Sequence, residues 1–576
     1  MKQKYILSIL FSVMLTLLIS SQALAQDMTV EYVVDTTIQL NGASATVDGS
    51  GVTVNGSNIL IDSAGVYSLS GSLTDGQIVV DTDDEEQVTL ILNGVDLRSS
   101  TSAPLYIKNA EVAEIVLADG TSNYVSDAVS YVYENAEDDE PNATVFSDDD
   151  LLISGTGSLT VDANFNDGIT SKDTLTISGA TIVVNSVDDG IRGKDSLTIS
   201  DVNITLNTQG DGLKADNEDD ETVGWMTIES GTFNINAGGD AIQAVNTLTI
   251  YEGYFNIVTA GGSSTAISSD LSAKGIKSDV KVIINGGNFA LNTADDSVHS
   301  NDAVVINGGN FIIASADDGM HADNTLDVNG GVINITKSYE GLESAVLTIN
   351  AGDINIVSSD DGLNVAGGND GSGMMGGGPG GRGGRGAAPQ DQFSVTNSTY
   401  IMYINGGTIV INAEGDGLDA NGAIIMTGGT VIVNGPQGNG NGALDYDGGF
   451  ELSGGYLIAA GSAGMAQAPG NTSSQYSIAI NFNSMLSAGT IVHIQNSAGE
   501  DILTFAPEKN FQSLVLSSPE LVGGETYTVY VGGSSNGTVT DGVYDGGTYT
   551  GGTEYSALTL TDVVTWLGNA GGMRRR

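Results

Sequence analysis

A short acidic phrase returns along the middle of the chain, at Asp188-Asp189-Gly190-Ile191, Gly210-Asp211-Gly212-Leu213, Asp295-Asp296-Ser297-Val298, Asp317-Asp318-Gly319-Met320 and Asp360-Asp361-Gly362-Leu363. Asp189 to Asp211 and Asp296 to Asp318 are each 22 residues; Asp318 to Glu340, in Tyr339-Glu340-Gly341-Leu342, is 22 again, and Glu340 to Asp361 is 21. A fixed period in the twenties is the signature of a solenoid, in which every repeat covers its neighbour. Within a period an alternating strand (Thr325-Leu326-Asp327-Val328), an Asn-Gly-Gly corner (Asn285, Asn307, Asn329) and a second strand (Asn310-Phe311-Ile312-Ile313) hold their places. Three corners and three strands make one coil.

Each strand is expected to pair with its equivalent one period later, at the spacing of about 4.8 Å between sheet neighbours, giving an all-β, single-stranded parallel β-helix. Alternate apolar residues such as Ile191, Leu197, Ile199, Ile204 and Leu206 point inward and stack on their counterparts, and Ile312 is read as part of the same core. Gly, Asn and Asp crowd the corners because these need positive φ or a tight bend, which accounts for 80 glycines in 576 residues. A glycine-rich linker would not keep apolar alternation in phase over hundreds of residues.

The N-terminus, Met1-Lys2-Gln3-Lys4 followed by an apolar run to Ile19 and by Ala23-Leu24-Ala25, reads as a secretory signal peptide over 1–25. Residues 26–148 read as N-terminal β capping coils, 149–465 as the regular solenoid with a Gly-rich loop at 367–398, and 466–576 as a C-terminal β cap. The expected product is a secreted or cell-surface monomer with no membrane span after cleavage. There is no cysteine, and 71 acids stand against 18 bases for a formal charge of −53. Nucleic acid is excluded as a partner by that sign. Like charges about 5 Å apart repel by roughly 1 kcal/mol even in water, so stacked aspartates call for a cation.

Two columns carry the candidate chemistry. Carboxylates arriving from adjacent corners can supply the oxygen ligands that Ca²⁺ takes, and Asp188, Asp189, Asp211, Asp295, Asp296, Asp317, Asp318, Asp360 and Asp361 are the candidate metal ligands. Three residues beyond each corner acid stands a second column: Arg192, Lys214, Gln243, Lys277, His299, His321, Glu343 and Asn364. Arg192, Lys214, Lys277, His299 and His321 are the candidate ligand-binding residues, offering one cation per coil to a polymer of repeated carboxylates. Charge compensation of the aspartates is the competing role for the same residues. No catalytic residue is assigned. Thiol chemistry has no residue, the three histidines lack the spacing of a zinc site, and no nucleophile elbow occurs. A calcium-dependent uronate lyase is the enzymatic alternative, with Arg192, Lys214 or Lys277 of the right type for its base, and a surface adhesin is the structural one.

The Asp-Asp-Gly-(Ile/Leu/Met) corner, the Leu-x-Ile strand, the Asn-Gly-Gly corner, the Gly-rich loop after Asp360-Asp361-Gly362-Leu363-Asn364, Phe505-Ala506-Pro507 and the strand from Tyr527 to Gly533 together resemble a family of secreted bacterial carbohydrate-binding β-helix proteins. The resemblance implies a right-handed parallel β-helix similar in fold to pectate lyases, with bound calcium and affinity for acidic plant polysaccharide such as polygalacturonate, without established catalysis. The column departs from a basic pattern at Gln243 and Glu343.

Overall fold

The computed structural model describes residues 32–133, 135, 137–366 and 399–568. The expected signal peptide, the Gly-rich loop 367–398 and the last eight residues lie outside them. The described residues form strands and turns with no helix, so among them no helix is long and apolar enough to cross a membrane.

Through the centre of the chain each strand pairs in parallel with the strand one repeat later, which produces three ladders. The first is short: Ile191–Gly193 pairs with Leu213–Ala215, and that with Ile242–Ala244. The second joins Ser196–Ser200 to Trp225–Ile228, and the third joins Val202–Thr208 to Gly231–Ala237. Equivalent residues meet, as in Ile182 opposite Ile204 and Asn288 opposite Asn310. The 22-residue period is therefore a register rule. It keeps like beside like for the whole column.

All three ladders share one apolar core. Ile191, Leu197, Ile199, Ile204 and Leu206 are fully buried, as the alternation requires. Phe233, Phe255, Phe289 and Phe311 stack face to face inside it with centroids 4.7, 4.8 and 4.5 Å apart, the interval imposed by about 4.8 Å between strands. Ile312, read from the sequence as a core residue, faces outward instead. It lies between the buried Phe311 and Ile313 and is 60% exposed, because a period of two cannot bury three consecutive residues.

The Asn-Gly-Gly corners carry a second column. Asn307 Nδ2 donates to Asn285 Oδ1 at 2.9 Å, Asn329 to Asn307 at 3.0 Å, Asn350 to Asn329 and Asn405 to Asn350 at 2.9 Å, and Thr427 Oγ1 to Asn405 Oδ1 at 2.8 Å. Gly309, the second glycine of one corner, has φ +107°, where a side chain would be strained.

The sheet is mixed rather than purely parallel. Thr36–Gly42 pairs antiparallel with Ala45–Asp48, and Val52–Asn55 with Asn58–Ile61, ahead of the ladders. At the other end Tyr456–Gly461 pairs antiparallel with Phe511–Ser517, which pairs in turn with Ser477–Leu486. A separate six-stranded antiparallel sheet follows, with Val492–Asn496 between Asp501–Phe505 and Thr526–Val531. Ile494, Phe505 and Tyr527 of this sheet share a second apolar cluster with Ile458, Ile480 and Phe511 of the larger one.

Candidate functional site

The Asp-Gly corners build the site by close approach. A Cβ on Gly190 would lie 2.6 Å from the Gly212 carbonyl oxygen, and one on Gly212 would lie 2.4 Å from that of Ala241. Stacking of coils, and not positive φ, requires glycine here. Where a corner carries two acids the second is sunk into the stack, so Asp189, Asp296, Asp318 and Asp361 are buried, as is the single acid Asp240, while Asp188 is exposed. Asp211, Asp295, Asp317 and Asp360 are half-buried.

These carboxylates divide the work of their two oxygens. Oδ1 accepts a backbone N–H from the next corner: Asp211 N to Asp189 at 2.8 Å, Asp240 N to Asp211 at 2.7 Å, Asp318 N to Asp296 at 3.0 Å and Glu340 N to Asp318 at 3.1 Å. Oδ2 meets the short ladder. Lys214 Nζ bridges Asp189 Oδ2 at 2.9 Å and Asp211 Oδ2 at 2.8 Å, and Lys277 Nζ lies 3.1 Å from Asp240 Oδ2. His299 Nδ1 is 2.8 Å from Asp296 Oδ2, an oxygen that Lys274 Nζ reaches at 2.9 Å. His321 Nδ1 is 3.3 Å from Asp318 Oδ2. Arg192 turns instead to Asp216 at 2.8 Å, with Asp167 at 3.9 Å.

The expected second column is continuous in register. Arg192, Lys214, Gln243, Lys277, His299, His321, Glu343 and Asn364 each pair with the next, and Asp419 and Asp445 continue the line. Its character changes along the way from cation to imidazole to carboxylate. The electrostatics follow. Burial alone would lower the Lys214 pKa, but Asp189 and Asp211 outweigh it and hold the ammonium above its ordinary range. Burial would likewise raise Asp296, yet Lys274 and His299 keep its carboxyl well below the usual value. Asp318 is raised by burial, which His321 only partly offsets.

At the acidic end Asp361, Asp416 and Asp419 bring carboxylate oxygens within 4.8 Å of one another. Asp361 Oδ1 accepts Asp416 N at 2.6 Å and Asp416 Oδ1 accepts Gly442 N at 2.5 Å. Among the described residues no ammonium or guanidinium pairs with the three. Burial first, and neighbouring carboxylates after it, push Asp361 up to about 8, Asp416 to about 7 and Asp419 to about 6. An all-oxygen cluster of this kind suits a hard cation. Two other triads, Asp167-Asp188-Asp189 and Asp295-Asp296-Asp317, also converge, but Lys214 and Lys274 already occupy their buried members.

Three of these acids escape a reading of the sequence alone. Asp416 stands in Gly415-Asp416-Gly417-Leu418, the same corner phrase, so its signal is present. Asp240 is 1% exposed and stands in Gly239-Asp240-Ala241-Ile242, where alanine replaces the corner glycine. Asp419 is found only by counting the register past the Gly-rich stretch. The two column histidines, read as lacking metal-ligand spacing, are 22 residues apart and hence adjacent, with ring centroids separated by 5.1 Å.

Residues 55–319 match the family model of carbohydrate-binding domain-containing proteins. A carbohydrate-binding domain-containing protein of Acetivibrio thermocellus is 47% identical over 122 residues, which take in 21% of this chain and 43% of that protein, so the chain spans less than half the length of this curated relative. A solved structure of a polysaccharide lyase-like protein from C. thermocellum, a gadolinium derivative, is 33% identical and covers 47% of this chain and 97% of its own, at a TM-score of 0.38. From Asn55 to Gly319, a segment that holds Asp189, Asp240, Asp296 and Asp318 and the second column from Arg192 to His299, the chain matches the carbohydrate-binding domain family.

Proposed function

We propose that this is a non-catalytic, calcium-stabilised protein that binds acidic polysaccharide of the polygalacturonate kind along the second column, outside the cell or at its surface, as a monomer. The observation that carries the reading is the family match over 55–319, because that segment contains Arg192, Lys214, Lys277 and His299. In this reading the three ladders close into a right-handed single-stranded β-helix, and the coil spacing of about 4.8 Å sets one binding position per coil.

The surface charge makes calcium part of the binding. A chain of formal charge −53 repels a polyuronate, and the column cations are already engaged by Asp189, Asp211, Asp240 and Asp296. Ca²⁺ shared between a corner carboxylate and a uronate turns that repulsion into attachment. Asp361, Asp416 and Asp419 are the acids whose geometry suits it best, with Asp360 beside them. Retention of soluble polygalacturonate should therefore require calcium and fade with chelator and salt. Equal binding with and without chelator would remove calcium from the account. An ultraviolet rise from unsaturated uronate during the same incubation would convert the reading to a lyase, and absence of any glycan binding would favour an adhesin.

A second binding face is favoured by one observation. The outward side of the third ladder places Thr232, Tyr254, Asn288, Asn310 and Val332 in one register row and Asn234, Asn256, Ala290, Ile312 and Asn334 in the next. Tyr254 is 65% exposed there. An uncharged face with a free aromatic ring and a row of amides suits the apolar face and hydroxyls of a neutral glycan.

A further inference from the structure

We propose that Asp318, His321 and Glu343 form a buried binding site for a divalent transition metal of the Zn²⁺ class, distinct from the calcium sites of the preceding reading. The donor atoms converge: His321 Nδ1 lies 3.3 Å from Asp318 Oδ2 and 3.4 Å from Glu343 Oε2, and the three groups present ligand atoms within 4.8 Å of one another. The His321 Nδ1–Asp318 Oδ2 contact is a hydrogen bond, but a long one, and both separations exceed the usual N–H···O length of about 2.9 Å. They equal the ligand–ligand edge of a tetrahedron with metal–ligand bonds of about 2.0–2.1 Å, roughly 3.3–3.4 Å. Asp318 and Glu343 are 0% exposed and His321 is 6% exposed.

Asp318 and Glu343 are also held from behind, and Asp323 Oδ1 lies 3.3 Å from His321 Nε2, placed to become the carboxylate partner of a metal-bound imidazole. Asp318 Oδ1 accepts Glu340 N at 3.1 Å, which leaves Oδ2 for the ion. Glu343 Oε1 accepts from Asn364 Nδ2 at 3.3 Å, and the same amide donates to Glu340 Oε2 at 2.7 Å. Three protein ligands leave a fourth position for water.

The column itself explains why the site falls here. At Lys214 and Lys277 the chain supplies its own cation to the corner carboxylates, and at Asp295 and Asp296 Lys274 does so. From His321 onward the same register position supplies donor atoms, with Glu343 next. An ion from solution takes the place that lysine holds elsewhere. The imidazole selects the metal: calcium takes oxygen ligands, six to eight of them, whereas nitrogen with two carboxylates is a zinc-type set.

The test uses the full chain without an affinity tag, freed of metal by chelation and titrated with Zn²⁺ in millimolar Ca²⁺. One zinc per chain is expected, not displaced by calcium, with X-ray absorption showing one imidazole nitrogen beside oxygen ligands. Replacing zinc with Co²⁺ should give the intense visible bands of low coordination. His321→Gln and Glu343→Gln should lose this zinc, Asp323→Asn should weaken it by about 10–100-fold, and His493→Gln, in the antiparallel sheet, should leave it unchanged. Asp361→Asn with Asp419→Asn should lower calcium binding and keep zinc, so the two metal readings fail separately. Zinc uptake no tighter than calcium uptake in the wild type, an all-oxygen six-coordinate spectrum, or unchanged zinc affinity in both ligand variants would overturn the proposal.

Discussion

The rings of Phe289 and Phe311 lie 4.5 Å apart and within 6° of parallel, one coil above the other. Phe255 and Phe233 extend the stack, so each inner ring has an aromatic neighbour on both faces. Phe289→Ala opens a gap in the middle of a column that adjacent coils cannot easily close. Its expected cost is about 3–5 kcal/mol, read as a lower denaturant midpoint.

Neighbouring residues on one strand should behave oppositely. Ile313→Asp buries an unpaired carboxylate at a fully buried position and should abolish cooperative folding, or lower the melting temperature severely. Ile312→Asp, on the outer face, should change stability by no more than about 0.5 kcal/mol. Thermal unfolding of the pair checks both. If Ile312→Asp proved as damaging as Ile313→Asp, the inward and outward assignment of this ladder would be wrong.

Lys214→Gln leaves Asp189 and Asp211 facing each other without their shared ammonium. Removing one partner of a buried ion pair costs on the order of 3 kcal/mol, so urea unfolding should move to lower concentration. If Lys214 and Lys277 also contact ligand, the double change to Gln should weaken polygalacturonate binding far more than binding of a neutral glucan. Tyr254→Ala should give the reverse selectivity, with neutral glucan lost and polyuronate kept. Affinity electrophoresis on the two polymers separates the faces.

The acidic cluster fixes a dependence on pH. Asp361, Asp416 and Asp419 hold protons in the folded chain up to about 8, 7 and 6, against 3.8 for the ordinary side chain. Between those limits the folded state binds more protons than the unfolded one, so this contribution is fully present below about pH 4 and is lost as pH rises through 6–8. In chelator, the melting temperature should fall from pH 5 to pH 8. Millimolar calcium takes the place of the protons and should restore most of the loss at pH 8 while doing little at pH 5. A flat profile in chelator would show that these acids do not share a buried site.

The period was readable because parallel pairing makes each coil a copy of the last, and Asp189, Asp211, Asp296 and Asp318 announce it. Parity inside a strand was readable where apolar and polar residues alternate, as at Leu197 and Ile199, and was lost at Phe311-Ile312-Ile313, where three apolar residues give no phase. The column of Arg192, Lys214, Lys277, His299 and His321 was legible as a column. Its burial among carboxylates was not, since Lys214 meets Asp189 from 25 residues away and only the stacking of corners brings the two oxygens to one ammonium. Asp419 lay hidden for a related reason: the Gly-rich stretch interrupts the count, so its adjacency to Asn364 is a fact of register and not of spacing.

The amide column from Asn285 to Asn405 has a direction. Every Nδ2 donates toward the earlier coil and every Oδ1 waits for the later one, until Thr427 closes the line with a hydroxyl. Dipoles aligned head to tail reinforce one another along such a line. The column thus has a polarity fixed by sequence order, each donor standing on the later coil and each acceptor on the earlier one.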